Sequence, residues 1–412
     1  MLRRKLLAAA LGLAAGLALS PFPAAAPAHA QDGDPIKIGD LNSYTSLPAF
    51  TLPYKKGWQL ALEEINRAGG VMGRPLEVIS RDDGGSPGDA QTVANELVRR
   101  EGVVMLVGTI LSHVGLAVSD YAAQADVPFL AAEPLTDAIA WSKGNDVTFR
   151  LRPGTYVQAA MLAEEAAKLD VTRWATVAPN YEYGQSAVAA FKTLLKERRP
   201  DVEFVEEQWP ALFKIDAGAT VQALARAEPE AIFNVTFGTD LVKFVREGSL
   251  RGLFENREVV SLLTGEPEWM NPLGEEVPVG WIVTGYPWYD LDTPEHLAFL
   301  KDYRERFGEP PRMGSVVGYV SLHAIAKAIG KAESTETAAI TEAMRGMALD
   351  TPFGPIVFRR VDQQSTMGTF VGRTIRREGE AGAPGGMEDW RYAPGHAYLP
   401  SQEEVKAWRP EG

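Results

Sequence analysis

The sequence predicts an α/β protein of two doubly wound parallel-sheet lobes. Three observations carry this. Short apolar runs alternate with amphipathic helical patterns along most of the chain, the alternation starts over near Arg150, and 412 residues are more than one ordinary core holds. Short apolar strands separated by amphipathic helices imply parallel sheets with helices on both faces.

The first half reads in order. Residues 36–41 form a strand, and Trp58, Ala61, Leu62 and Ile65 then recur at helical spacing. Residues 66–70 end that helix, because Ala-Gly-Gly loses helix propensity and permits positive φ. Residues 76–80 are a second strand and residues 82–87 a turn-rich loop. Ala90, Val93, Ala94, Leu97 and Val98 mark the next helix. Residues 103–107 are a third strand, and its helix begins near Ser112 with Val114, Ala117, Val118 and Tyr121 on one side. Residues 127–131 give a fourth strand.

Beyond Arg150 a helix over 154–169 leads to a strand at 174–178. Ala187, Ala190, Phe191, Leu194 and Leu195 form another helix face. Further strands are expected at 202–208, 231–235, 258–262 and 280–284, with helices between most of them. From Thr293 the reading becomes more helical, over 294–306, 316–332 and 335–346, before paired strands near Ile356 and Phe370. The segment 378–412 is rich in Gly, Pro and charge and is expected to be an irregular C-terminal tail. Two lobes side by side create a cleft where loops at the carboxyl ends of their strands face each other. That cleft is the default ligand site.

The first thirty residues indicate where the protein works. Arg3, Arg4 and Lys5 precede a charge-free apolar run over 6–19, Pro21 and Pro23 break it, and Ala28-His29-Ala30 is a small-x-small cleavage pattern. Fourteen apolar residues are short for a membrane span, so residues 1–30 read as a cleavable signal peptide; an uncleaved anchor is the alternative. Cleavage after Ala30 would leave 382 of 412 residues and place the mature chain in the periplasm. Removing three basic residues leaves 38 Lys and Arg against 54 Asp and Glu, a formal charge of −16. That charge argues against nucleic acid as a partner. The chain has no cysteine, which removes disulfides, thiolate metal sites and cysteine nucleophiles, and with them a lipoprotein anchor.

Enzymatic constellations are missing from the sequence. After the leader the histidines are His113, His296, His323 and His396; no two lie at i, i+4, and no H-E-x-x-H occurs. No G-x-G-x-x-G follows the first strand, and neither a G-x-x-x-x-G-K-[ST] loop nor a G-x-S-x-G elbow exists. Asp82-Asp83-Gly84-Gly85 lacks the alternating acids of a calcium loop and reads as a turn. No catalytic residue, cofactor or metal is expected.

Candidate ligand contacts gather at strand ends. Ser112, at the first turn of its helix, offers a hydroxyl beside free backbone N–H groups; an ordinary capping serine is the alternative. The neighbouring strand ends in Glu133-Pro134-Leu135. In the second half Asn180 to Gly184, Phe237-Gly238 and Thr264-Gly265-Glu266 follow strands, so aromatic and acidic residues recur where a ligand would stack or pair. Lobe packing accounts equally well for each aromatic taken singly, and Glu266 or Glu268 alone reads as solvated.

Taken together, these residues resemble the leucine/isoleucine/valine-binding type of periplasmic substrate-binding protein, which serves ABC importers. The carrying segments are Ile36-Lys37-Ile38-Gly39, the stretch from Gly57 to Gly70, Pro75-Leu76-Glu77 before Asp82-Asp83, Val107-Gly108 to Ser112, Tyr183-Gly184 and Gly354-Pro355. The resemblance spans roughly residues 35–375. It implies two α/β lobes joined by a three-crossing hinge: 31–152 with about 285–350, and about 153–284 with about 351–377. It puts Ser112 on a carboxylate-binding serine and Phe50, Tyr183 and Phe237 on pocket aromatics. Glu266, or Glu268 in the other register, falls on an acid that pairs with a ligand ammonium. The departure is at Glu133, Pro134 and Leu135, where branched-chain binders grip the amino-acid head group; Pro134 lacks an N–H and Leu135 a hydroxyl. The family's disulfide would fall at Gly85 and Leu111, both without a thiol. The expectation is a non-catalytic periplasmic monomer that captures an amino acid, an amide or a related small polar solute and presents it to an inner-membrane ABC permease. An extracytoplasmic sensor for a receptor kinase or chemoreceptor is the alternative, and a secreted enzyme using His113 is further off.

Overall fold

A computed structural model describes residues 33–377 and 384–409. The leader over 1–30 lies outside the described residues. Among the described residues fourteen strands run β1 Ile36–Asn42, β2 Leu76–Asp82, β3 Met105–Gly108, β4 Phe129–Ala131, β5 Thr148–Arg150, β6 Arg173–Val177 and β7 Glu203–Gln208. They continue with β8 Ala231–Asn234, β9 Glu258–Gly265, β10 Ile282–Gly285, β11 Ala348–Thr351, β12 Gly354–Val357, β13 Thr369–Arg376 and β14 Gly385–Ala393. Two main sheets result. The first is parallel throughout, in the order β2-β1-β3-β4-β5. The second has the order β14-β13-β10-β9-β8-β6-β7, parallel except where β13 and β14 run antiparallel at one edge. A ribbon of β11 and β12 stands apart.

The central parallel strands are short and buried on both faces, as in Met105–Gly108, Phe129–Ala131 and Ala231–Asn234, which is what a helix layer on each side demands. The first lobe adds a tightly packed helix pair, Pro48–Arg67 against Met313–Ala332. Glycine lets these backbones meet: a Cβ on Gly57 would lie 2.0 Å from the Ser315 carbonyl oxygen, and one on Gly318 would lie 2.0 Å from that of Tyr54. The pair places Phe50 at one helix start and Gly314 at the other, both at the cleft.

The chain crosses between lobes three times, through residues 151–154, 286–293 and 358–368. The crossings hold each other. Arg150 N–H, at the start of the first crossing, donates to the Gln363 carbonyl at 3.2 Å, Ser365 N–H to the Arg150 carbonyl at 2.9 Å, and the Ser365 hydroxyl to the Leu151 carbonyl. Among the described residues no helix is long and apolar enough to cross a membrane.

Three sequence expectations are corrected. The strands near Ile356 and Phe370 do not pair with each other: Ile356 faces Leu349, whereas Phe370 lies between Gly285 and Tyr392. Strand β5 went unread because three residues are too few to show a period. The C-terminal segment, apart from 378–383 and 410–412, which lie outside the described residues, is ordered. Residues Gly385–Ala393 form an edge strand, and Gln402–Trp408 a helix. Glycine there permits close approach rather than a loop, since a Cβ on Gly385 would sit 2.4 Å from Met270 Sδ. The Trp390 and Tyr392 rings pack on Phe370, and Trp408 closes on Trp141 and Tyr156 at 5.1 and 5.8 Å.

Gly57→Val should overpack the helix pair and cost about 1–3 kcal/mol or more, read as a fall in the urea midpoint. An unchanged midpoint would contradict the close approach.

Candidate functional site

Strand carboxyl ends and helix starts from both lobes converge on a small cavity of about 30 Å³. Its walls include Phe50, Ser112, Glu133 and Leu135 from the first lobe and Tyr183 and Phe237 from the second. These are six of the seven residues singled out in the sequence. Ile110, Leu111, Arg152, Tyr181, Leu263 and Trp269 complete the lining.

Three helices enter the site without a side-chain cap. The helix Ser112–Ala125 follows Leu111, Glu182–Arg198 follows Tyr181, and Gly238–Leu250 follows Phe237. Their first N–H groups and partial positive ends therefore point toward the cleft. Ser112 is not a capping serine: its hydroxyl oxygen accepts from Thr136 N–H at 3.2 Å, on the loop after β4. That contact fastens two adjacent loops and leaves the hydroxyl proton free to donate.

The centre of the site is Arg152, which the sequence reading missed. It stands two residues beyond β5, on the first hinge crossing, and is fully buried. Its guanidinium donates to Glu133 at 3.1 Å and also to Glu266, so one cation links an acid of the first lobe to an acid of the second. Gln364, from the third crossing, donates to the Arg152 carbonyl at 3.0 Å and fixes the backbone there. The guanidinium also lies over the Phe50 ring, 5.6 Å from its centre.

Glu266 is corrected accordingly. It is not part of the cavity wall, because Arg152 takes one of its oxygens and Trp269 Nε1 donates to the other at 3.1 Å. An acid expected to meet a ligand ammonium is instead matched by the protein's own cation. Glu268, the alternative register, accepts from Gly314 N–H at 2.7 Å, a hydrogen bond from the second lobe to a helix start of the first.

The carboxyl groups are perturbed for definable reasons. Burial raises Glu133 well above the usual carboxylate range, opposed by Arg152 and reinforced by Glu266 and Glu268. Burial works against the Arg152 charge, but Glu266 and then Glu133 outweigh it and raise its pKa. Burial, then the Glu266 charge, push Glu268 up to about 7. In the first lobe burial pushes Asp40 up to about 6, although Tyr44 and Ser80 donate to it.

The lobes touch around the cavity, so this is the closed form. Phe50 stacks on Trp269 at 5.9 Å, and His113 meets Tyr181 edge-on at 5.4 Å. The Thr136 hydroxyl donates to Glu182 at 2.7 Å, and the Ser186 hydroxyl to Asp137 at 3.0 Å. Among the described residues no group of three or more His, Asp or Glu could hold a metal ion.

Fold and site define a two-lobed α/β binding protein with a small interlobe cavity. The family described as periplasmic binding protein matches residues 35–380, and the chain belongs to that family, in its leucine/isoleucine/valine-binding branch. It is 26% identical over 347 residues to Leu/Ile/Val-binding protein homolog 7 of Brucella suis, covering 79% of this chain and 84% of that one. It is 25% identical over 393 residues to homolog 6 of Brucella abortus, covering 89% and 97%. Among solved structures it resembles a solute-binding protein of an ABC transporter from Rhodopseudomonas palustris, in complex with 3,4-dihydroxybenzoic acid. The TM-score is 0.78 at 22% identity, over 88% of this chain and 98% of that one. It also resembles the closed leucine-, isoleucine-, valine-, threonine- and alanine-binding protein of Brucella ovis, with TM-score 0.77 at 19% identity, over 90% and 97%.

Two outcomes follow from the buried charges. Arg152→Met leaves Glu133 and Glu266 without their shared cation and should cost about 3–5 kcal/mol, measured by urea unfolding; an unchanged midpoint would contradict the triad. Asp40 and Glu268 bind protons more tightly folded than unfolded. The stability they contribute is complete below about pH 4 and is lost as pH rises through about 6 and 7. Melting temperature should therefore fall between about pH 5 and pH 8, and Glu268→Gln should flatten the upper part of that fall.

Proposed function

We propose that this chain captures a small solute in the periplasm and presents the closed form to an inner-membrane ABC permease, without chemically changing the solute. The solute is an amino acid, an amide or a related small polar compound. One observation carries the reading: the cavity is walled by residues of both lobes and sits at the hinge, so a molecule held there favours closure through contacts made only when the lobes meet. The aromatic lining, Tyr181, Tyr183, Phe237 and Trp269 from one lobe and Phe50 from the other, supplies an apolar body for the site, and Ser112, Glu133 and Arg152 supply its polar end.

The names of the relatives support this class. They speak of amino-acid binding in one group and of an aromatic acid in another, and the reading here embraces a polar head group on a small apolar frame. The leader over 1–30 supplies the export route.

A thermal-shift screen over amino acids, amides and aromatic acids should return a compound that raises the melting temperature and comes back unaltered. Ser112→Ala should weaken that compound about tenfold through loss of a hydrogen bond, and Glu266→Ala should weaken it by releasing Arg152. Unchanged binding in both variants would refute the site, and a chemically altered compound would refute the non-catalytic reading.

A further inference from the structure

Resting on the solute-binding reading above, the cavity's polar atoms narrow the solute's head group. Among the residues that wall it, two buried side-chain atoms have no partner: Glu133 Oε1 and the Tyr183 hydroxyl oxygen. Both belong to side chains that are almost fully buried, and buried polar groups left unpaired are costly, so a ligand is their natural complement. Both also feel the same charges. Glu133 is bonded to Arg152 directly, and the charges of Arg152 and Glu266 reach Tyr183 as well. The Ser112 hydroxyl proton, free because its oxygen accepts from Thr136, is a third group facing the cavity.

The charge balance rules on the alternatives. Arg152 already serves two carboxylates. A solute carboxylate would be the third acid around one cation, with the Glu133 oxygen as its neighbour. A solute ammonium would face the buried guanidinium and the uncapped start of the helix Ser112–Ala125, and the acid expected to receive it, Glu266, is occupied on both oxygens. An α-amino acid head group brings both conflicts at once. A neutral group with a donor beside an acceptor brings neither.

We infer that the solute carries a carboxamide head group on a small apolar body. Its N–H donates to Glu133 Oε1, and its carbonyl accepts from the Tyr183 or Ser112 hydroxyl. Phe50, Phe237 and Trp269 enclose the apolar part. An amide also suits Glu133 in either protonation state, since its N–H meets a carboxylate and its oxygen meets a carboxylic acid.

The test is calorimetric titration of the purified protein with two shape-matched series. One is benzamide, benzoate, benzylamine and phenylalanine; the other is isovaleramide, isovalerate and leucine. At least one amide should bind ten times more tightly than every acid, amine or amino acid of its series. Glu133→Gln removes the charge and keeps the shape, so it should narrow the amide-over-acid ratio at least tenfold. Tyr183→Phe should weaken the amide several-fold, with each variant's melting temperature confirming that it folds. An acid or amino acid that binds as tightly as its matching amide overturns the inference, as does a set of which no member binds, or a ratio that Glu133→Gln leaves unmoved. In those cases the solute-binding reading survives if scattering still shows closure on a compound extracted from the protein. It fails separately if no compound of any class changes the scattering.

Discussion

The structure depends on one buried cation shared between two lobes. Taking Arg152, Glu133 and Glu266 out of water costs several kcal/mol per ion, and only direct pairing in a well-defined geometry offsets it. That geometry exists when the lobes are together. The loop after β4 brings Glu133, the turn after β9 brings Glu266, and the first hinge crossing delivers the guanidinium between them. Opening the cleft would separate acids that share one partner. The pairing therefore couples hinge angle to electrostatics, and the cavity beside it inherits that coupling.

What surrounds the triad follows from how parallel sheets end. Strands deliver loops to one edge of each sheet, and the helices that follow begin there with unsatisfied N–H groups. Three such helices enter the cleft uncapped, and the acids at the site lie where those partial positive charges are found. Aromatic residues from both lobes fill the remaining space, Phe50 against Trp269 and Tyr183 against Phe237. A solute entering this space meets an apolar wall and a polar end whose charges are already matched within the protein.

Much of this was legible in the sequence. Apolar runs bounded by turn residues located most strands of both sheets, and the residues at their carboxyl ends included five that line the cavity, with Phe50 supplied by the family resemblance. The reading lost what depends on tertiary partners. Strand β5 is too short to show a period, so Arg152 beyond it looked like any charged loop residue; the informative sign was an arginine just after a restart of the fold, beside Pro153-Gly154. Glu266 was placed correctly at a strand end but given a ligand to pair with, because sequence cannot show that another side chain reaches it first. Trp269 follows a Glu-Pro-Glu turn and has no pattern of its own. The edge strand Gly385–Ala393 was hidden by glycines that serve close packing.

The central claim is that solute binding and lobe closure are one event organised around Arg152. The absence of cysteine makes it directly measurable, since spin labels on Ser46→Cys and Lys243→Cys, on opposite sides of the outer cleft, report its width by pulsed electron resonance. The account predicts a long or broad distance distribution without solute and a single shorter one with it, with the shift lost in Arg152→Met. One distance, the same with and without a solute that calorimetry shows to bind, would contradict it.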